Sequence, residues 1–313
     1  MRATRCASPG SGSPAGTSGA IRGDEMSGPG TSVRIDDCSL WVVERGPEDG
    51  FPLIALHGGP GLDHHEFGDY LDPVCNDGVR LLLVDQRAQG RSEPTPPGTW
   101  TLERMAQDVI MLALALKLRR YAVLGHSYGA FVALQNAVDY PGQAVATVVG
   151  GGVASVRDLE GVADALESFE PAELREQVAS SWERAPSVTT PEEVASLHHD
   201  QLPFHFRDPN DPRIAEYERR SAGGAYAPEV LRRFATAGNG GIDLEDRLPE
   251  VTQPVLVLAG RHDRTCPAET SERMAGLLPR GELHVFEESA HMTFVEEPDR
   301  YLEVLRGFLA RSR

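Results

Sequence analysis

Residues 121–140, YAVLGHSYGAFVALQNAVDY, decide the fold. An apolar run (YAVLG) meets an amphipathic helical pattern (AFVALQNAVDY) across Gly125-His126-Ser127-Tyr128-Gly129, with a single residue available for the turn. A strand that passes so abruptly into a helix forces its central residue into a strained backbone. Gly125 and Gly129 carry no side chains to collide with the neighbouring strand and helix. The turn therefore exposes Ser127 Oγ and aims the Tyr128 N–H, at the positive end of the helix, to where an oxyanion would form.

Similar alternation extends in both directions. LWVVERG (40–46), PLIALHG (52–58), VRLLLVDQ (79–86), AVATVVGG (144–151), PVLVLAG (254–260) and ELHVFEES (282–289) read as further strands. Several are apolar at nearly every position, as parallel strands covered on both faces must be. Leu102, Met105, Ala106, Val109, Leu112, Ala113 and Leu116 mark one helical face, and Tyr301, Val304, Leu305, Phe308 and Leu309 another. The expected fold is α/β: a mostly parallel central sheet flanked by helices. Residues 153–245 interrupt the alternation with charged helical segments, so the expected organisation is a core of 33–152 and 246–313 with a helical cap inserted at 153–245. Residues 1–32, rich in Gly, Ser, Pro, Ala and Thr, lack the apolar content to repay ordering and read as a disordered tail, with Met26 an alternative start.

Composition narrows the function. The 313 residues carry a net charge of −17, with no basic run, which argues against nucleic acid as a partner. No apolar stretch approaches the roughly 18–20 residues of a spanning helix, so no membrane is expected. Four scattered cysteines (Cys6, Cys38, Cys75, Cys266) without Cys-x-x-Cys spacing suit reduced thiols in a cytoplasm. The pairs His64-His65 and His198-His199 offer no bidentate ligand set, because neighbouring side chains diverge on helices and strands alike. Neither a metal nor an organic cofactor is expected.

A serine hydroxyl needs a base, itself oriented by a third group. Asp263 follows PVLVLAG, and His291 follows ELHVFEES, each at the carboxyl end of an expected strand. His57-Gly58-Gly59-Pro60-Gly61 ends PLIAL, and its small residues let backbone amides approach a bound oxygen, with Gly59 N–H the second oxyanion donor.

With these motifs the chain resembles the α/β-hydrolase superfamily, in which a triad runs Ser, Asp, His along the chain. Within it, HGGPG (57–61) and Asp85-Gln86-Arg87-x-x-Gly90-Arg91-Ser92 are similar to segments of the proline iminopeptidase branch. That resemblance, covering residue 38 to the C-terminus, implies Ser127 as nucleophile, His291 as general base and acid, Asp263 as orienting carboxylate, and Gly59 and Tyr128 as the oxyanion hole. Those aminopeptidases hold the substrate's α-amino group with cap glutamates, one in a Trp-Glu pair, which Trp182-Glu183 resembles. Glu216 and Glu218 are candidates for the second. The implied substrate is a small peptide with N-terminal proline. Because GHSYG replaces the common GGSWG and Ala88 the usual Gly, two alternatives stand beside it: a carboxylesterase or lactonase acting on small acyl esters, and a ligand-binding protein of this fold that turns over slowly.

Overall fold

The structure, a computed structural model, describes Met1, residues 30–237 and residues 239–313. The rest of the predicted disordered tail, with Cys6 and Met26, lies outside the described residues.

Eight strands form one sheet: β1 (Thr31–Arg34), β2 (Ser39–Arg45), β3 (Phe51–Leu56), β4 (Val79–Asp85), β5 (Ala122–His126), β6 (Ala146–Gly150), β7 (Val255–Gly260) and β8 (Gly281–Phe286). Their spatial order is β1-β2-β4-β3-β5-β6-β7-β8. From β4 through β3 to β8 every pairing is parallel, while β1 and β2 run antiparallel at one edge. The sequence reading missed β1 and placed Thr31 and Ser32 in the tail. TSVR is mostly polar and lies largely exposed at the sheet edge, with Val33 the one residue half-buried against the apolar cluster, so no apolar alternation marks it; it is held mainly by its pairing with β2.

Residues alternate strictly between the two faces of the sheet. Ile54, Leu56, Leu82, Val84 and Val123 join one apolar cluster, whereas Leu53, Ala55, Leu81, Leu83, Ala122 and Leu124 join the other. Each such Leu or Ile contributes about 1.5–3 kcal/mol by leaving water. The first face is covered by α1 (Leu102–Ala115) and α2 (Tyr128–Asp139). Thr101 caps α1, its side chain accepting the Arg104 N–H.

Between β6 and β7 the chain forms α3 (Val162–Glu167), α4 (Ala172–Arg184), α5 (Pro191–His205), α6 (Arg213–Arg220) and α7 (Pro228–Thr236). Thr190 and Glu193 build a reciprocal capping box that starts α5, with Pro191 at its first position. The ends of this insertion are stitched together: Val156 N–H donates to Ile242 O (2.8 Å) and Leu244 N–H to Ala154 O (2.8 Å). After β7 come α8 (Ala268–Leu277), α9 (Thr293–Glu296) and α10 (Pro298–Ser312), the last covering the second face with Tyr301, Leu305, Phe308 and Leu309. Among the described residues, no helix is long and apolar enough to cross a membrane.

Arg87, fully buried, anchors the loop after β4. Its guanidinium grips Asp108 of α1 at 2.6 and 2.7 Å and also reaches Asp37. The hydrogen bonds from Arg87 hold the Asp37 carboxyl down at about 2. Removing one member of such a pair strands a buried charge. Arg87→Met is expected to destabilise the fold by about 3–5 kcal/mol in urea unfolding, and Arg87→Met/Asp108→Leu to recover much of that loss.

Candidate active site

Ser127 is the single residue between β5 and α2, and its backbone sits at φ +52°. A Cβ on Gly125 would fall 2.0 Å from Gly129 O, and one on Gly129 would fall 2.1 Å from Leu56 O, so both glycines are steric requirements of this turn. Ser127 is half-buried among buried neighbours. The Tyr128 side chain packs away beneath it, its hydroxyl on Met105 Sδ at 2.9 Å and its ring against Phe234. The Tyr128 N–H remains at the first position of α2, where no preceding helical carbonyl reaches it.

Asp263 lies in the loop after β7. Its Oδ1 accepts the Thr265 and Cys266 N–H groups (2.8 and 2.9 Å), and its Oδ2 accepts from His291 Nδ1 at 2.8 Å. The carboxylate therefore has a fixed orientation and fixes the imidazole tautomer, leaving Nε2 of a neutral His291 as the acceptor. Cys266, whose N–H Asp263 accepts, is itself buried, which pushes its thiol well above the usual range and keeps it protonated.

The HGGPG turn is held by the DQR segment. His57 Nε2 accepts the Gln86 N–H, His57 O accepts from Gln86 Nε2 at 2.7 Å, and the Gly61 N–H donates to Gln89 Oε1 at 2.6 Å. Asp85 takes both the backbone and ring N–H of His64. Glu66, in the short helical turn that follows, accepts the Gly58 N–H on Oε2 and binds His126 Nδ1 through Oε1 at 3.0 Å.

Ser127, His291, Gly59 and Tyr128 all line one cavity of about 420 Å³. Its far wall comes from the insertion and is mostly apolar: Leu166, Trp182, Val194, Leu197, Leu231 and Phe234. The insertion is bonded to both loops of the site, the Ala227 N–H to Gly61 O (2.9 Å) and the His291 N–H to His205 O (3.0 Å).

The predicted amine-binding pair is split. Trp182 lines the cavity, whereas Glu183 is exposed on α4 and outside the lining. Adjacent helical residues point about 100° apart, so one of them must leave when the other faces inward. Glu216 and Glu218 turn to surface partners, Arg219 and Arg220 for the first and His199 for the second. Among the described lining residues the only carboxylate is Glu66, which sequence reasoning missed. Asp63, His64 and His65 bring ligand-type atoms within 4.8 Å of one another, but Asp63 already takes the Ala225 N–H and His65, and His64 is bound to Asp85.

A family model described as alpha/beta hydrolase fold matches residues 52–298. The chain belongs to the alpha/beta hydrolase fold family. Its curated relatives include the proline iminopeptidases of Clostridium botulinum (27% identical, covering 83% of this chain and 90% of that one) and Heyndrickxia coagulans (29% identical, 83% and 91%). Among solved structures, Mycobacterium smegmatis proline iminopeptidase superposes with TM-score 0.71 at 28% identity, covering 91% of this chain and 98% of that one. An Exiguobacterium antarcticum esterase superposes with TM-score 0.69 at 24% identity over 90% of this chain and all (100%) of that one, a likeness of fold alone.

Glu296 braces the loop that carries His291. Its carboxylate oxygens accept the Ala290 and Arg207 N–H groups (both 2.8 Å), and burial raises its carboxyl from 4.5 to about 7. The native state then keeps a proton that the unfolded chain releases, so this group's contribution to stability is present at acid pH and is lost as pH rises from 4.5 to about 7. Urea unfolding at about pH 5 and about pH 8 is expected to show the wild type losing on the order of 3 kcal/mol more stability over that interval than Glu296→Gln does.

Proposed function

We propose that this protein is a serine hydrolase that removes an N-terminal residue, preferably proline, from small peptides. Ser127 attacks the carbonyl carbon as His291 Nε2 takes its proton, and the tetrahedral oxyanion is held by the Gly59 and Tyr128 amides. His291 then protonates the leaving amine, and water repeats the sequence on the acyl-enzyme. Asp263 keeps the imidazole in the tautomer that can accept. The observation that carries the reading is the 2.8 Å Asp263–His291 bond on the cavity that also receives the strained Ser127. The insertion acts as a cap whose apolar wall admits a pyrrolidine ring and excludes long chains.

The prolyl preference is supported by the likeness to proline iminopeptidases over more than four fifths of the chain. One specific observation favours a second reading, an esterase for neutral acyl groups. Glu66 is already engaged by Gly58 and His126, and Glu183 stands outside, so the cavity offers no uncommitted carboxylate to an α-ammonium.

Release of a chromogenic amine from proline, measured beside its N-acetylated form and a short-chain acyl ester, separates the two. The expected outcome is cleavage of the free prolyl compound alone, abolished in Ser127→Ala. Cleavage of the ester alone transfers the assignment to the esterase, and no turnover of any probe counts against both. Asp263→Asn is expected to keep the fold and lower kcat by about 10⁴, the scale of a histidine held in the wrong tautomer.

A further inference from the structure

His126, the residue immediately before Ser127, is 1% exposed, and both its ring nitrogens face acceptors. Nδ1 meets Glu66 Oε1 at 3.0 Å and Nε2 meets His291 O at 3.2 Å. A carbonyl oxygen only accepts, so Nε2 carries a proton, and an ionised Glu66 requires one on Nδ1 as well. His126 is then an imidazolium and Glu66 its counter-ion. The neutral alternative, a protonated Glu66 donating to Nδ1, runs against the charges around the pair. Burial, the largest single effect, opposes both ions, but the partner's charge and the hydrogen bonds to each group together outweigh it, so Glu66 lies below its ordinary range and His126 above its own. The Gly58 N–H on Oε2 at 2.5 Å adds to the stabilisation of the carboxylate.

The pair connects three separate parts of the site. Glu66 holds Gly58, next to the Gly59 amide. His126 holds the carbonyl of His291. Its own backbone leads directly into Ser127. A Cβ on Gly58 would stand 2.5 Å from Glu66 Oε1 and 3.0 Å from Ser127 Cβ, which shows how closely turn, carboxylate and serine are packed. No other ionic contact between the described residues links the HGGPG turn to the nucleophile turn. The other titratable groups facing His126 are His291, with Asp263 behind it, and His205 from α5, which burial drives well below its ordinary range and keeps neutral.

We propose that Glu66 and His126 form a buried positioning pair that sets the HGGPG turn and the carbonyl of His291 in register with Ser127. Neither residue touches the reacting atoms; they act through Gly58, the Ser127 backbone and the His291 backbone. The inference rests on the serine mechanism proposed above for its kinetic readout, but not for its spectroscopic one.

The test compares wild type, Glu66→Gln, His126→Asn and the double variant by the rate of Ser127 phosphonylation with a fluorophosphonate, and by kcat and KM on the best probe of the panel. Each single variant is expected to lower phosphonylation and kcat by roughly 10- to 100-fold, the scale of an ångström-level misplacement, with KM within about twofold of wild type. The double variant is expected to be no worse than the worse single, because the two groups act as a unit. Unchanged rates, multiplying losses, or a raised KM with kcat retained would overturn the proposal, the last by making Glu66 a substrate ligand. Nitrogen NMR of histidine-labelled wild type, independent of any variant's folding and of the reaction, is expected to show one imidazole protonated at both nitrogens well above the ordinary histidine pKa of about 6.5. Its absence would likewise sink the pair, whereas its presence beside a wild type that takes no fluorophosphonate would sink the serine mechanism and leave the pair standing.

Discussion

The chain must turn from β5 into α2 within one residue, and the rest of the site follows from that constraint. A non-glycine residue at φ +52° is held in place only where its surroundings leave it no alternative. Here the constraint is steric and reciprocal. Gly125 lets the first turn of α2 approach β5, and Gly129 lets α2 lie against the end of β3. The strain at Ser127 is thus balanced by the packing of α2 over the sheet, where nearly every residue of the helix is buried. Helix and sheet hold the serine up; its own side chain makes no capping hydrogen bond to α2.

A turn held by packing alone would leave the neighbouring HGGPG loop free to drift, because glycine and proline provide no side-chain anchors. The loop after β4 supplies them. Gln86, Gln89 and Asp85 bond His57, Gly61 and His64, and Arg87 fastens the same loop to α1 through a buried ion pair. Two motifs separated by more than twenty residues therefore form one hydrogen-bonded unit. Their joint presence in the sequence has a physical cause: each supplies hydrogen-bond partners to buried polar groups of the other. Glu66 then extends this unit to His126, on the strand that carries the serine.

What was legible in the sequence was whatever leaves a local mark. The parallel strands are buried on both faces and show it as unbroken apolar runs. Ser127 sits in a five-residue pattern whose glycines have a steric reason, and Asp263 and His291 follow strands that could be counted. β1 left no mark because it is polar and lies at the edge. Trp182-Glu183 is divided between cavity and surface because adjacency in sequence is divergence on a helix, and a resemblance between dipeptides carries no information about which face of α4 turns inward. Glu66 was hidden for another reason: its partner lies sixty residues away. The one clue was a histidine where the elbow of the proline iminopeptidases that this chain resembles commonly has glycine, a residue type that requires a buried partner once the strand is internal.

The histidines around the cavity show how the charges are arranged. His126, His198, His205 and His291 all line it. Burial drives His198 and His205 below their ordinary range, and like charge from the neighbouring histidines pushes His205 further down. The two that have buried carboxylates, Glu66 for His126 and Asp263 for His291, are the two whose cations could be tolerated. In the proposed reaction His291 must become an imidazolium while the oxyanion forms. A cavity that already held uncompensated cations at His198 or His205 would oppose that step through a low-dielectric interior. Keeping those two neutral, and pairing His126 with its own counter-ion, leaves the only change of charge during the proposed turnover between His291 and the oxyanion, the charges that this proposal assigns to the Asp263 carboxylate and to the amides of Gly59 and Tyr128.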